Sequence, residues 1–86
     1  MLSDEALDLL WKLFRGKYFV KGHIAKDKLL RHYRNTDMKA YKDAYHELKQ
    51  GGYIRTFPHT GGEHAQLNMK KLNEIKELLK TRYTFF

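Results

Sequence analysis

Leu7, Leu10, Trp11 and Phe14 fall at the i, i+3, i+4, i+7 positions of one helical face, and Leu9 and Leu13 widen the stripe. Ser3 stands where an N-cap is needed, and Asp4 and Glu5 suit the positive end of a helix. Gly16 suits the position just past the last turn. The spacing predicts a helix over 4–15. Tyr18, Val20 and Ile24 then alternate within an aromatic and β-branched run, which predicts a short strand over 18–24. Ile24 does not share a helical face with Leu29, Leu30 and Tyr33, so a second helix is expected over 25–34.

Asn35-Thr36-Asp37 is a cluster of turn and capping residues. Beyond it, Met38, Tyr41, Tyr45 and Leu48 share one side at about 100° per residue, flanked by Ala44. Lys39, Asp43, His46 and Gln50 take the opposite side, Lys42 and Lys49 the flank, and Glu47 borders the exposed face. A third helix is expected over 37–50. Gly51-Gly52 provides a left-handed exit. Tyr53 to Phe57 is strand-like, Pro58 is expected to end it, and Gly61-Gly62 permit a hairpin loop with positive φ. Glu63 to Leu67 returns as the partner strand, giving a hairpin over 53–67. Asn68 caps a last helix over 69–82, with a stripe of Leu72, Ile75, Leu79 and Tyr83 that Leu78 extends sideways. Thr84-Phe85-Phe86 is an apolar tail.

Assembled, these elements predict one α+β domain over 1–86: a three-helix core, a small antiparallel hairpin and a C-terminal helix. The chain of 86 residues suffices for a single core, burying roughly 60–65% of the surface its unfolded form exposes. The 42% hydrophobic and 31% charged composition fits a globular rather than a disordered chain. With no cysteine, disulfides and thiolate zinc sites are excluded. No apolar run approaches the roughly 20 residues of a membrane span. Asp4, Glu5 and Asp8 are the wrong charge for a signal peptide, so a cytoplasmic location is expected.

Charge is unevenly placed. Between Lys12 and Lys42 ten basic residues face only Asp27 and Asp37, a local +8 in a chain of net +7, so the remainder is −1. Such a concentrated positive field attracts a polyanion.

The order helix, strand, helix, helix, strand, turn, strand, helix, with the Asn35–Leu67 stretch leading through Gly52-Tyr53-Ile54 into a hairpin, resembles the winged-helix (winged helix-turn-helix) DNA-binding family. The resemblance spans nearly the whole chain. It implies a small transcriptional regulator whose third helix enters the major groove of double-stranded DNA and whose hairpin is the wing. Carried onto this sequence, Lys26, Lys28, Arg31 and Arg34 are candidates for phosphate contacts. Asn35, Thr36, Lys39 and Lys42, in the approach to the third helix and its first half, and His46 beyond them, are candidates for base contacts. Arg55 and His59 are the wing candidates. A homodimer through the C-terminal helix and Phe85 and Phe86 would match a palindromic site. Asp43, Glu47 and a wing bearing Glu63 instead of lysine or arginine motivate a second reading, a protein–protein interaction module within a larger complex.

Five histidines raise the question of a metal. His59, Glu63 and His64 lie close in sequence, but two histidines on a Gly-rich loop fall short of the three or four converging ligands that zinc requires, so no metal site and no cofactor are expected. No nucleophile stands beside a base in a recognisable motif, and no Gly-rich phosphate loop follows a strand, so no enzymatic activity is expected.

Overall fold

The computed structural model describes residues 2–34 and 37–83. Helix α1 (Asp4–Arg15) has the span that its leucine spacing predicts. Ser3 Oγ accepts from the Ala6 amide at 3.2 Å, which satisfies one of the free donors of the first turn. Ala6, Leu9, Leu10 and Leu13 are fully buried. Gly16 is not left-handed (φ −80°). A side chain there would bring Cβ within 2.4 Å of the Tyr18 ring, so it is space and not φ that asks for glycine.

The strand expected over 18–24 is a correction: only β1 (Ile24–Ala25) pairs. Lys17 and Val20 sit at φ 59° and 58°, which turns the chain repeatedly instead of extending it. The N–H groups of Lys17, Tyr18 and Gly22 bond locally, to Phe14 O, Leu13 O and Phe19 O, while the Tyr18 carbonyl accepts from Leu67 N–H at 2.8 Å. Helix α2 (Lys26–Arg31) is also shorter than the expected 25–34. His32 to Arg34 form turns, and the Tyr33 ring stacks on Tyr41 at 3.9 Å. Packing against the next helix therefore replaces the last turn of α2.

Helix α3 (Met38–Gln50) is capped by Asp37, whose Oδ1 accepts from Ala40 N–H at 3.2 Å, so Asp37 lies outside the helix rather than in it. Ala44, Tyr45 and Leu48 are buried. Gly52 (φ 78°) turns the chain into the sheet.

The sheet is antiparallel with strand order β1-β3-β2, where β2 is Ile54–His59 and β3 is Gly62–Leu67. Pro58 does not end β2. It pairs with Glu63 inside the ladder, which an edge strand allows because the missing N–H can face outward. The loop is Thr60-Gly61, with Gly61 at φ 86° and Gly62 at 131°. Successive side chains alternate across the sheet. Ile24, Ile54, Ala65 and Leu67 form its buried face, in one cluster with the helices.

The last helix is also shorter than expected. A 3-10 turn (Met69–Lys71), held by Asn68, precedes α4 (Leu72–Lys80). Ile75 and Leu79 are fully buried in the chain's own core. Trp11 stacks on Tyr83 at 4.5 Å, and Arg82 pairs with Asp8 at 3.0 Å. The centre of the α4 stripe is thus covered by α1, while Phe85 and Phe86 lie outside the described residues. Among the described residues the molecule is an α+β fold of four α-helices and a three-stranded antiparallel sheet, and no helix is long and apolar enough to cross a membrane.

Candidate nucleic-acid interface

The outward side of α3 carries Lys39, Lys42, Asp43, His46, Lys49 and Gln50, all exposed. Burial of Tyr45 and Leu48 fixes this orientation, since residues on the other side of a 3.6-residue repeat must then face water. Lys39 and Asp43 form an open i, i+4 pair at 3.2 Å. Such a pair contributes only about 0.3–0.5 kcal/mol, so a polyanion could displace Asp43 at little cost.

Two acids that would oppose a polyanion are engaged inside the fold. Glu47 turns back to the start of α1, where its Oε1 accepts from Ser3 Oγ at 3.0 Å and from the Ser3 amide at 3.4 Å. A carboxylate suits the positive end of that helix. Glu63 is not in the loop. It lies on β3 and shares its face with Ala65 and Leu67, so it points toward α3. Its Oε2 accepts from Tyr45 Oη at 2.6 Å and its Oε1 from Lys49 Nζ at 3.0 Å. The Tyr45 hydrogen bond holds the Glu63 carboxyl below the usual carboxylate range, partial burial works against it, and Lys49 adds to the lowering. Burial, and then this same bond, push the Tyr45 hydroxyl up.

Lys26 is half-buried, its Nζ 5.0 Å from the centre of the Tyr45 ring, so it braces α2 against α3 as well as adding charge. Lys28 and Arg31 are exposed on α2, and Arg34 is exposed in the turn after it. Asn35 and Thr36 lie outside the described residues.

The two candidates on the hairpin fall elsewhere. Arg55 pairs across with Gln66, and His59 with Gly62, on the face opposite Glu63. Both are exposed. Lys28 and Arg31 on α2, Arg34 in the turn after it, and Lys39, Lys42 and His46 on α3 are thus all exposed, while Arg55 and His59 lie on the outer face of the sheet. Gln66 also lies on that outer face and donates to the carbonyls of Val20 at 3.2 Å and Gly22 at 3.1 Å, holding the 17–23 turns against β3.

A third grouping escaped the sequence reading. His23, His59 and His64 come together on the outer face, their ring centres 4.8, 4.9 and 4.6 Å apart. Phe57 packs edge-on to His23 at 5.2 Å. Partial burial, and then the two neighbouring imidazoles, lower the pKa of His23. Among the helices Asp8 of α1 accepts from Tyr41 at 2.7 Å and from Tyr83 at 3.2 Å. Burial, helped by Asp8, pushes the nearby Tyr33 hydroxyl up to about 12.

Fold and charge together define a small α+β domain with a cationic helical face. No family model, curated protein or solved structure matches the chain, so what that face does rests on its own geometry.

Proposed function

We propose that the chain is a DNA-binding winged-helix protein, a small transcriptional regulator in which α3 enters the major groove and α2 and the turn after it grip phosphates. The observation that carries this reading is the partition of charge. Lys39, Lys42 and His46 face outward on α3, and Lys28, Arg31 and Arg34 are exposed on α2 and the turn after it, while Glu47 and Glu63 are bonded internally. The element order and the antiparallel hairpin after α3 are compatible with that family's topology.

Lys39 and Lys42 occupy the N-terminal half of α3, the part of a recognition helix that reaches base edges. Phosphate contacts by the basic side chains would supply most of the affinity and make it strongly salt-dependent. Arg55, on the other face of the hairpin, is assigned no base contact.

The experiment is fluorescence anisotropy on duplex DNA across a salt series. Binding is expected to weaken with a log–log slope of about −0.9 for each phosphate neutralised. Lys39→Glu with Lys42→Glu should weaken it more than tenfold and flatten the slope by about 2. Both side chains are exposed, so circular dichroism should show an intact fold. No detectable binding of the wild-type chain at low salt would overturn the proposal.

A further inference from the structure

Three imidazoles from two separate parts of the chain meet on the outer face of the sheet. His23 immediately precedes β1, His59 ends β2, and His64 lies in β3. Antiparallel pairing brings them together: Ala25 sits opposite His64, and Phe57 opposite His64 on the other side. We propose that His23, His59 and His64 form a binding site for a late first-row divalent cation of the Zn²⁺, Ni²⁺ or Cu²⁺ class.

The distances carry this. Imidazole nitrogens bind such cations at about 2.0–2.1 Å, so two nitrogens on one cation lie about 2.9–3.4 Å apart. Nδ1 of His23 and Nδ1 of His64 are 2.9 Å apart. That separation fits two neighbouring ligands at roughly a right angle, the arrangement tetragonal Cu²⁺ and Ni²⁺ favour. Ring centres of three ligands on one small cation stand about 4.5–5.3 Å apart, and the three observed separations lie within that span.

The outer contacts of the rings fit as well. His64 Nε2–H points to the Thr60 carbonyl at 3.4 Å, which leaves Nδ1 with its lone pair toward His23. A ligating histidine commonly donates its other N–H to a backbone carbonyl in this way. In the metal-free chain the Nδ1–H of His23 donates to His64. On binding, that proton moves to Nε2 of His23 and the cation takes its place between the two Nδ1 atoms.

Among the described residues no three side chains stand with their donors already converged on a metal. One ring must turn, and His59 is the exposed one at the end of its strand. The terminal torsion of histidine is broad, so this turn is inexpensive. Glu63 is not a fourth ligand, because it points to the opposite face and is bonded to Tyr45 and Lys49. Water completes the coordination, and the cation ties the hairpin to β1.

The test is competition against a chromophoric chelator at pH 7.5, with Zn²⁺ and Ni²⁺ each supplied alone and no DNA present. One cation per chain is expected, at micromolar affinity or tighter, with a rise in Tm. His23→Gln, His59→Gln and His64→Gln should each weaken binding at least tenfold. His32→Gln with His46→Gln, on exposed histidines elsewhere, should leave it unchanged. Absence of saturable one-to-one binding would overturn the proposal, as would binding that survives the three cluster variants or is lost with His32 and His46. All three cluster side chains are at least partly exposed, and circular dichroism would show that each variant is folded.

Discussion

Replacing Tyr45 with Phe isolates the bond that ties the hairpin to α3. Tyr45 is 2% exposed, so the ring keeps its packing and the Lys26 contact at 5.0 Å, and only the hydroxyl is lost. That hydroxyl donates to the Glu63 carboxylate at 2.6 Å. A hydrogen bond to a charged group contributes about 1.5–3 kcal/mol. The Glu63 side chain is 32% exposed, and water and Lys49 take over part of the solvation once the hydroxyl is gone. Discounted for that exposure, the expected loss is about 1–1.5 kcal/mol, or a Tm fall of roughly 4–12 °C for a chain this size.

The pH dependence distinguishes this bond from mere packing. The folded Glu63 carboxyl lies below its unfolded value near 4.3. Its contribution is therefore fully present above that value and is lost as the pH falls through the folded one. A protonated Glu63 can still accept from Tyr45, but a neutral hydrogen bond is about half as strong. Urea denaturation at pH 7 and at the lowest pH where both proteins still fold should show the gap between wild type and Tyr45→Phe narrowing, toward about half once Glu63 is protonated. Two results would refute the reasoning: no gap at pH 7, or a gap of the same size at both pH values.

Val20 is 65% exposed at φ 58°, a conformation that costs a β-branched residue about 1–2 kcal/mol. Val20→Gly removes that strain and, after the greater unfolded-state entropy of glycine, should stabilise the fold by about 0.5–1 kcal/mol in urea titration; a lower denaturation midpoint would contradict it. Leu48 is fully buried in the face of α3 that meets the core. Leu48→Ala should cost about 2–5 kcal/mol, a large part of the stability of such a domain, and a loss below 1 kcal/mol would mean that α3 packs differently.

The elements written most plainly in the sequence are those with a long apolar repeat and a side-chain cap. Ser3 with the leucines of α1, and Asp37 with the tyrosines of α3, are of this kind. The segment from Lys17 to His23 misled because its aromatic and β-branched content suits a strand. Two left-handed residues that composition disfavours there redirect it, and Gln66, forty-odd positions later, helps to hold it. The short α2 misled for a related reason: Tyr33 sits at a helical spacing but packs on Tyr41 instead. The basic residues of the candidate interface were legible because charge survives any error in element boundaries. The histidine cluster was not, because its third member arrives through pairing of β1 with β3, and a two-residue strand leaves almost no pattern. Alternation along β3 alone would have placed His64 outward but could not have named its neighbours.

The acids of α3 and β3 look, in the sequence, like evidence against a polyanion. Their positions weaken that inference for two of the three. A carboxylate repels phosphate in proportion to the charge it shows to solvent on the same face, and screening erases what lies beyond about 8 Å at physiological salt. Glu47 is turned to the positive end of α1, and Glu63 is paired with Lys49 and hydrogen-bonded by Tyr45. Of these three acids Asp43 remains on the outward side of α3, where it pairs with Lys39. That arrangement gives Asp43 a definite consequence within the proposed function. Removing it frees Lys39 and deletes one negative charge, so the net field of the helix rises by one unit where contact with phosphate is proposed. If α3 faced a protein surface of mixed charge instead, the same removal would carry no preference for a polyanion, and the salt slope for DNA would not change.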